Sequence, residues 1–209
     1  MISQEHIDKS IEKALRRESN LTPELLNIRG FSTQTMRHFF NNLCNIKGTY
    51  LECGLFCGGT FCSSFNPELT SIGVEDYSQD FSVSTVKEEL NKNVEANSNR
   101  GYITKIYYED CFKINLEKFN KGIDIFFFDA EHSEQSQAKA LPYFLDNMED
   151  TFCFLVDDYN WDTVREGTKR GLRELKDKIN IESEWVLGEG FHDHPIWHNG
   201  LAIFLINKK

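Results

Sequence analysis

The chain has 209 residues, 40% of them hydrophobic and 27% charged, with 23 basic against 33 acidic side chains and a formal net charge of -10. These proportions exclude a disordered tail, a coiled coil and a collagen-like fibre, and the length suffices for a core that needs no metal or disulfide staple. The acidic excess argues against a broad basic face for nucleic acid or anionic lipid, keeps a protein soluble, and is compatible with cation binding.

From Ser3 to Arg17, the residues Ile7, Ile11, Ala14 and Leu15 recur at helical spacing and predict a first helix. Thr22 and Pro23 predict the N-cap and first position of a second. A third is expected from Ser32 to Asn45, with Met36, Phe39, Phe40 and Leu43 on its apolar face. The pattern then changes. Short apolar runs, TYLECGL, SIGVED, TKIYYED, DIFFFDA and FCFLVDD, read as strands, separated by helical stretches at Phe81–Asn97, Glu134–Asn147 and Trp161–Lys178. Such alternation predicts parallel βαβ units in a doubly wound α/β sheet. The runs FFF and FCFLV lack polar alternation, as expected of strands buried on both faces. SEWVLG and LAIFLI have no room for a long helix between them, so they should pair antiparallel at a sheet edge. We find no repeat, low-complexity segment or linker, which predicts one domain over 1–209, with a helical extension (1–47) before the core (48–209).

No run approaches the ~18 apolar residues of a membrane span, and MISQEHIDKSIEKALRRESN lacks the apolar centre of a secretory leader. A cytoplasmic protein is expected, with Cys44, Cys53, Cys57, Cys62, Cys111 and Cys153 as reduced thiols. Cys53, Cys57 and Cys62 lack the paired C-x-x-C spacing of structural zinc sites.

In an open α/β sheet, ligands bind beyond the carboxyl ends of the strands. The five predicted strands end, in order, in Glu52, in Glu75 and Asp76, in Glu109 and Asp110, in Asp129 with Glu131 and His132, and in Asp157 with Asp158. Asp is common where a strand leaves a core, but a carboxylate at every strand end concentrates negative charge along one rim. After the first strand, Glu52-Cys-Gly54-Leu-Phe56-Cys-Gly58-Gly59-Thr60 is a glycine-bearing turn leading to a helix. It is neither the G-x-G-x-x-G dinucleotide fingerprint nor a P-loop, and a plain tight turn explains it equally well. Glu75 is suited to accept hydrogen bonds from a ribose diol.

Together, YLECGLFCGGT, GVED, YYEDCF, DIFFFDAEHS and LVDDYNW resemble the class I S-adenosylmethionine-dependent methyltransferases, whose sheet is Rossmann-like. The branch with D-G-D-H-S at strand four, beside the metal-dependent O-methyltransferases, is the more similar. The resemblance spans Thr49 to Arg170, and the final hairpin is similar to the reversed strand of that fold. It implies that Glu52, Gly54 and Gly58 bind the methionine half of the cofactor, Glu75 its ribose, and Asp110 and Cys111 its adenine, with Phe56 and Asp129 also in the cofactor site. It implies Mg²⁺ on Asp129, Asp157 and Asp158, and catalytic roles for Asp129 and His132, the latter as general base. Ala130 and Glu131 stand where Gly and Asp are usual. The chemistry agrees: a sulfonium cation without pyrophosphate calls for carboxylates and aromatic faces rather than a phosphate cradle.

The activity so implied is methyl transfer to a hydroxyl of a small-molecule acceptor, with no nucleic acid or membrane partner; a homo-oligomer is left open. Two alternatives stand beside it: a nucleotide- or nicotinamide-dependent oxidoreductase or hydroxylase-like enzyme on a similar fold, and an inactive cofactor-binding module. Asp157 and Asp158 could instead cap the helix from Trp161, and His132 could merely orient Asp129. His192, Asp193, His194 and His198 form either a second metal cluster or an acceptor-site loop. Trp161 and Trp197 could stack on an acceptor or pack. Phe31, Ser32, Arg37 and His38 could form a lid, while Met36, Phe39 and Phe40 suit either a core or a dimer contact.

Overall fold

Apolar runs and chain direction determine one seven-stranded sheet of order β3-β2-β1-β4-β5-β7-β6 in the computed structural model, which describes residues 2–78, 83–98, 102–119, 122–190 and 192–209. The strands are β1 (Gly48–Cys53), β2 (Leu69–Val74), β3 (Ile103–Tyr107), β4 (Ile123–Phe128), β5 (Met148–Val156), β6 (Ile179–Leu187) and β7 (Leu201–Lys208). Strands β1 to β5 run parallel to one another, and β7 is antiparallel to both β5 and β6. This is a Rossmann-like, doubly wound sheet with one reversed strand.

The helices are α1 (Gln4–Leu15), α2 (Pro23–Leu26), α3 (Gln34–Leu43), α4 (Gly59–Ser63), α5 (Val83–Ser98), α6 (Glu134–Phe144) and α7 (Asp162–Glu174). Ser3, Thr33 and Ser133 cap α1, α3 and α6, each side chain accepting from the backbone N–H three residues on. Strand alternation divides the core between the two faces. Tyr50 and Phe127 pack with Ile7, Met36, Phe39 and Phe61 on one face, while Leu51, Phe126 and Phe128 pack with Leu141, Phe144 and Val164 on the other. The uninterrupted FFF run is thus apolar because both faces are covered.

Several boundaries differ from expectation. α2 is a single turn, and Thr22 has extended backbone geometry there without a side-chain capping bond. The expected start of α5 at Phe81 lies outside the described residues. α7 ends at Glu174 rather than Lys178, because β6 begins at Ile179 and needs the intervening residues for its turn. The hairpin does pair antiparallel, but β7 inserts between β5 and β6, leaving the more polar β6 as the edge. Among the described residues, no helix is long and apolar enough to cross a membrane.

A carboxylate-lined cavity as candidate active site

β1 lies between β2 and β4, so connections diverge to opposite sides of the sheet at the β1–β4 junction, where a crevice opens beyond the strand ends. A cavity of about 860 Å³ lies there. Its floor is the turn after β1. Gly54 has φ 89, and a Cβ at this position would fall 1.9 Å from the Asp129 backbone oxygen, so only glycine lets β1 leave so close to the end of β4. Phe56 follows with φ 48, its ring 5.2 Å from Phe31 and under the Arg29 guanidinium at 4.9 Å.

The carboxylates of this rim differ in their surroundings. Glu75 accepts from the backbone N–H groups of Leu55 (2.7 Å), Phe56 (2.9 Å) and Tyr77 (2.8 Å), and thereby ties the β1 turn to the end of β2. Asp110 accepts from Phe112 N–H (2.8 Å) and pairs with Lys113 (2.9 Å), whose ammonium holds its carboxyl below the ordinary value. Cys111 beside it also lines the cavity.

Asp129 and Asp157 are in the opposite condition. Burial, with the charges of neighbouring carboxylates, pushes both well above the ordinary Asp value. Asp157 is 94% buried by its 6% residual exposure, and its Oδ1 has no hydrogen-bond partner. Asp158, in the left-handed region (φ 53), turns to His132: Oδ2 lies 2.8 Å from His132 Nε2, and Oδ1 accepts from Asn199 Nδ2 (2.7 Å). Burial pushes its carboxyl up, but these partners outweigh that and hold it below the usual value. His132 Nε2 is also 4.0 Å from Asp129 Oδ1, and its ring stands 4.9 Å from Trp161. Asp129, His132 and Asp158 each offer one ligand atom, all within 4.8 Å of one another.

Of the residues expected to hold a cofactor, Gly54, Phe56, Glu75, Asp110, Cys111 and Asp129 line the cavity; Glu52 and Gly58 do not. Glu52 is fully buried beneath the turn, accepting from Tyr50 and Thr60 hydroxyls at 2.5 Å each, and burial raises its pKa to about 8. Gly58, at φ 84, starts α4. Of the three expected metal ligands, Asp129 and Asp158 come together with His132, whereas Asp157 lies outside that group. Neither Asp157 nor Asp158 caps α7: its N-cap residue is Trp161, with no side-chain capping bond.

The histidine loop also divides. His194 Nδ1 accepts from the Ile196 and Trp197 N–H groups of its own turn, and His192 is exposed, while Asp193 and His198 reach the cavity. Trp161 lines the cavity, but Trp197 packs edge-on against Phe39. Of the lid candidates only Phe31 reaches the cavity. Arg37 is buried on the carbonyls of Leu25 and Leu26, His38 is held by Ser19, and Met36, Phe39 and Phe40 are core. Asn199 escaped the sequence reading. Its only signal is position, after a loop and before a strand, and nothing local marks a partner 41 residues away.

No protein-family model and no curated protein matches the chain. Solved structures do. An O-methyltransferase from Bacillus cereus, in complex with S-adenosylhomocysteine (SAH), superposes with a TM-score of 0.62 at 11% identity, covering 99% of this chain and 93% of that one. TomG, an O-methyltransferase of tomaymycin synthesis from Streptomyces achromogenes in complex with S-adenosylmethionine, gives 0.62 at 13%, covering 99% and 91%. The chain has the fold of the class I methyltransferases. A fibrillarin/Nop5p complex matches at 0.51 and 15% identity over 78% of this chain and 73% of that one. The fold thus sets the place of the cavity, and what the cavity takes must be read from its lining side chains.

Proposed function

We propose that this protein is an S-adenosylmethionine-dependent methyltransferase (EC 2.1.1.-) that methylates a hydroxyl of a small molecule with the help of a divalent cation, Mg²⁺ or Mn²⁺. The observation that carries the reading is the convergence of Asp129, His132 and Asp158 in a carboxylate-lined cavity at the switch point of a methyltransferase fold. The likeness to SAH- and S-adenosylmethionine-bound O-methyltransferases supports the cofactor.

The Gly54–Phe56 turn and Glu75 would hold the ribose and methionine parts, with Asp110 and Cys111 beside the adenine. Glu52 would act from below, positioning the turn through Thr60 at the start of α4. The bound cofactor supplies an electrophilic methyl on a sulfonium, whose positive charge the rim carboxylates favour.

The residues also fit a divalent cation. The donor atoms of Asp129, His132 and Asp158, all within 4.8 Å of one another, would be near enough to share one ion. Asp157 Oδ1, buried and without a hydrogen-bond partner, is a further oxygen that a cation would satisfy. Two carboxylates and one imidazole suit Mn²⁺ as well as Mg²⁺. Such an ion supplies Lewis acidity, which lowers the pKa of an acceptor hydroxyl. His132 Nε2 would serve one role at a time. As a ligand it completes the cation site; with the cation held by the carboxylates alone, it would take the hydroxyl proton, with Asp158 at 2.8 Å stabilising the imidazolium. Trp161 would fix the ring plane of His132 and exclude water from the transfer line.

Among the described residues, nine carboxylates and no Lys or Arg line the cavity, which favours a small molecule over a polyanionic nucleic acid. The six free cysteines suit the reducing cytoplasm. Isothermal titration with SAH tests the reading: one-to-one binding at micromolar affinity is expected, and no heat at millimolar ligand would refute it.

A further inference from the structure

The cavity wall beyond His132 is built by two segments distant in sequence. One is the β4–α6 connection, carrying Glu131 and His132; the other is the β6–β7 loop, carrying Asp193, His198 and Asn199. The loop is fastened to the reacting end of the sheet. Asn199 donates to Asp158, accepts from Asp193 N–H (3.0 Å) through its own side-chain oxygen, and is 8% exposed. Asn160 donates to the Gly188 carbonyl (2.7 Å), and its backbone N–H donates to the Asn199 carbonyl (2.9 Å). Asp193 therefore stands at a built position next to the Asp158–His132 pair.

What this wall offers a ligand is an aromatic face and negative charge. Trp161 remains 38% exposed although it packs against His132. The Asp193 side chain is 89% exposed, with its nearest charge partner, His198 Nδ1, at 4.0 Å. On the other side of the cavity the cations Lys113 and Lys118 are already paired with Asp110 and Glu109. Among the described residues no Lys or Arg lines the cavity, so an anionic group seated on this wall would face the carboxylates of Glu131 and Asp193. A protonated amine would meet both a tryptophan face and carboxylates, the pairing that recognises organic cations.

We propose that the acceptor is a hydroxyl compound carrying a protonated amine, seated against Trp161 and paired with Glu131 and Asp193. This rests on the methyltransferase reading above and adds the charge class of the substrate. Asp193 and Glu131 are specificity-determining residues, outside the group that holds the reacting hydroxyl.

The test uses the full chain saturated with SAH and Mn²⁺, titrated calorimetrically with two matched sets of probes. Dopamine is compared with 4-methylcatechol and 3,4-dihydroxyphenylacetate, and glucosamine with glucose and glucuronate. In at least one set, the amine is expected to bind about tenfold more tightly than its matched acid, with the neutral compound between them. Asp193→Asn and Glu131→Gln should each reduce that ratio by about threefold while leaving SAH affinity unchanged. Equal or tighter binding of the acids, binding of no amine, or an amine preference that survives the double variant would overturn the inference while SAH still binds. Failure of SAH itself to bind would overturn the methyltransferase reading, and this inference with it.

Discussion

The two sides of the cavity hold the same kind of side chain in opposite conditions. Beyond β2 and β3, Glu75 receives three backbone N–H groups and Asp110 a backbone N–H and an ammonium. Beyond β4 and β5, Asp129 and Asp157 are pushed above their ordinary values by burial and mutual repulsion, and Asp157 keeps an unpartnered oxygen. The first side is complete in itself, its carboxylates serving as framework for a turn. The second side gathers buried carboxylates whose charge a bound cation would offset. A carboxylate at a strand end is therefore informative only with its partners.

The most severe way to break the first side is Gly54→Ala. The new Cβ would collide with the Asp129 backbone oxygen, at a position whose φ of 89 already disfavours a side chain. A loss of stability of about 3 kcal/mol or more is expected, read by urea denaturation, with loss of SAH binding in whatever remains folded. Next comes Glu75→Ala, which leaves three backbone N–H groups without their acceptor. We expect a stability cost of about 2 kcal/mol and a drop of about tenfold or more in SAH affinity, measured by thermal unfolding and calorimetry.

A third test sharpens the contrast from beneath the turn. Folded Glu52 titrates at about 8 against an ordinary 4.5, because burial disfavours its charge. The folded chain then binds more protons than the unfolded chain across that interval, so stability falls as pH rises through it. Glu52→Gln keeps an acceptor and a donor for Tyr50 and Thr60 without the charge. It should flatten the decline and raise stability at pH 8 by on the order of a few kcal/mol, seen in thermal unfolding at stepped pH.

Much of this architecture is legible in the sequence, for physical reasons. The strands β1, β2, β4 and β5 are buried on both faces, so their apolar runs leave no ambiguity. Their carboxylate ends then follow from chain direction alone. The first half of β6 is harder to see, because INIE is exposed beyond its first residue and lacks the apolar run that marks SEWVLG as a strand. Glu52 shows a different shortfall. Tyr50 and Glu52 share one strand face by their spacing of two, which already places the hydroxyl beside the carboxylate and beneath the turn rather than in the cavity. The partnership of His132 with Asp158, and of Asp158 with Asn199, depends on how three loops meet, and no local periodicity encodes that.

The contrast between the two sides is tested most directly by Mn²⁺ binding, followed by electron paramagnetic resonance in the wild type, Asp158→Ala and Lys113→Ala. The account predicts one site per chain in the wild type, an affinity at least about 100-fold lower in Asp158→Ala, and unchanged binding in Lys113→Ala. Equal affinity in the wild type and Asp158→Ala would contradict it, as would a new dependence on Lys113, because the cation would then lie on the wrong side of the cavity.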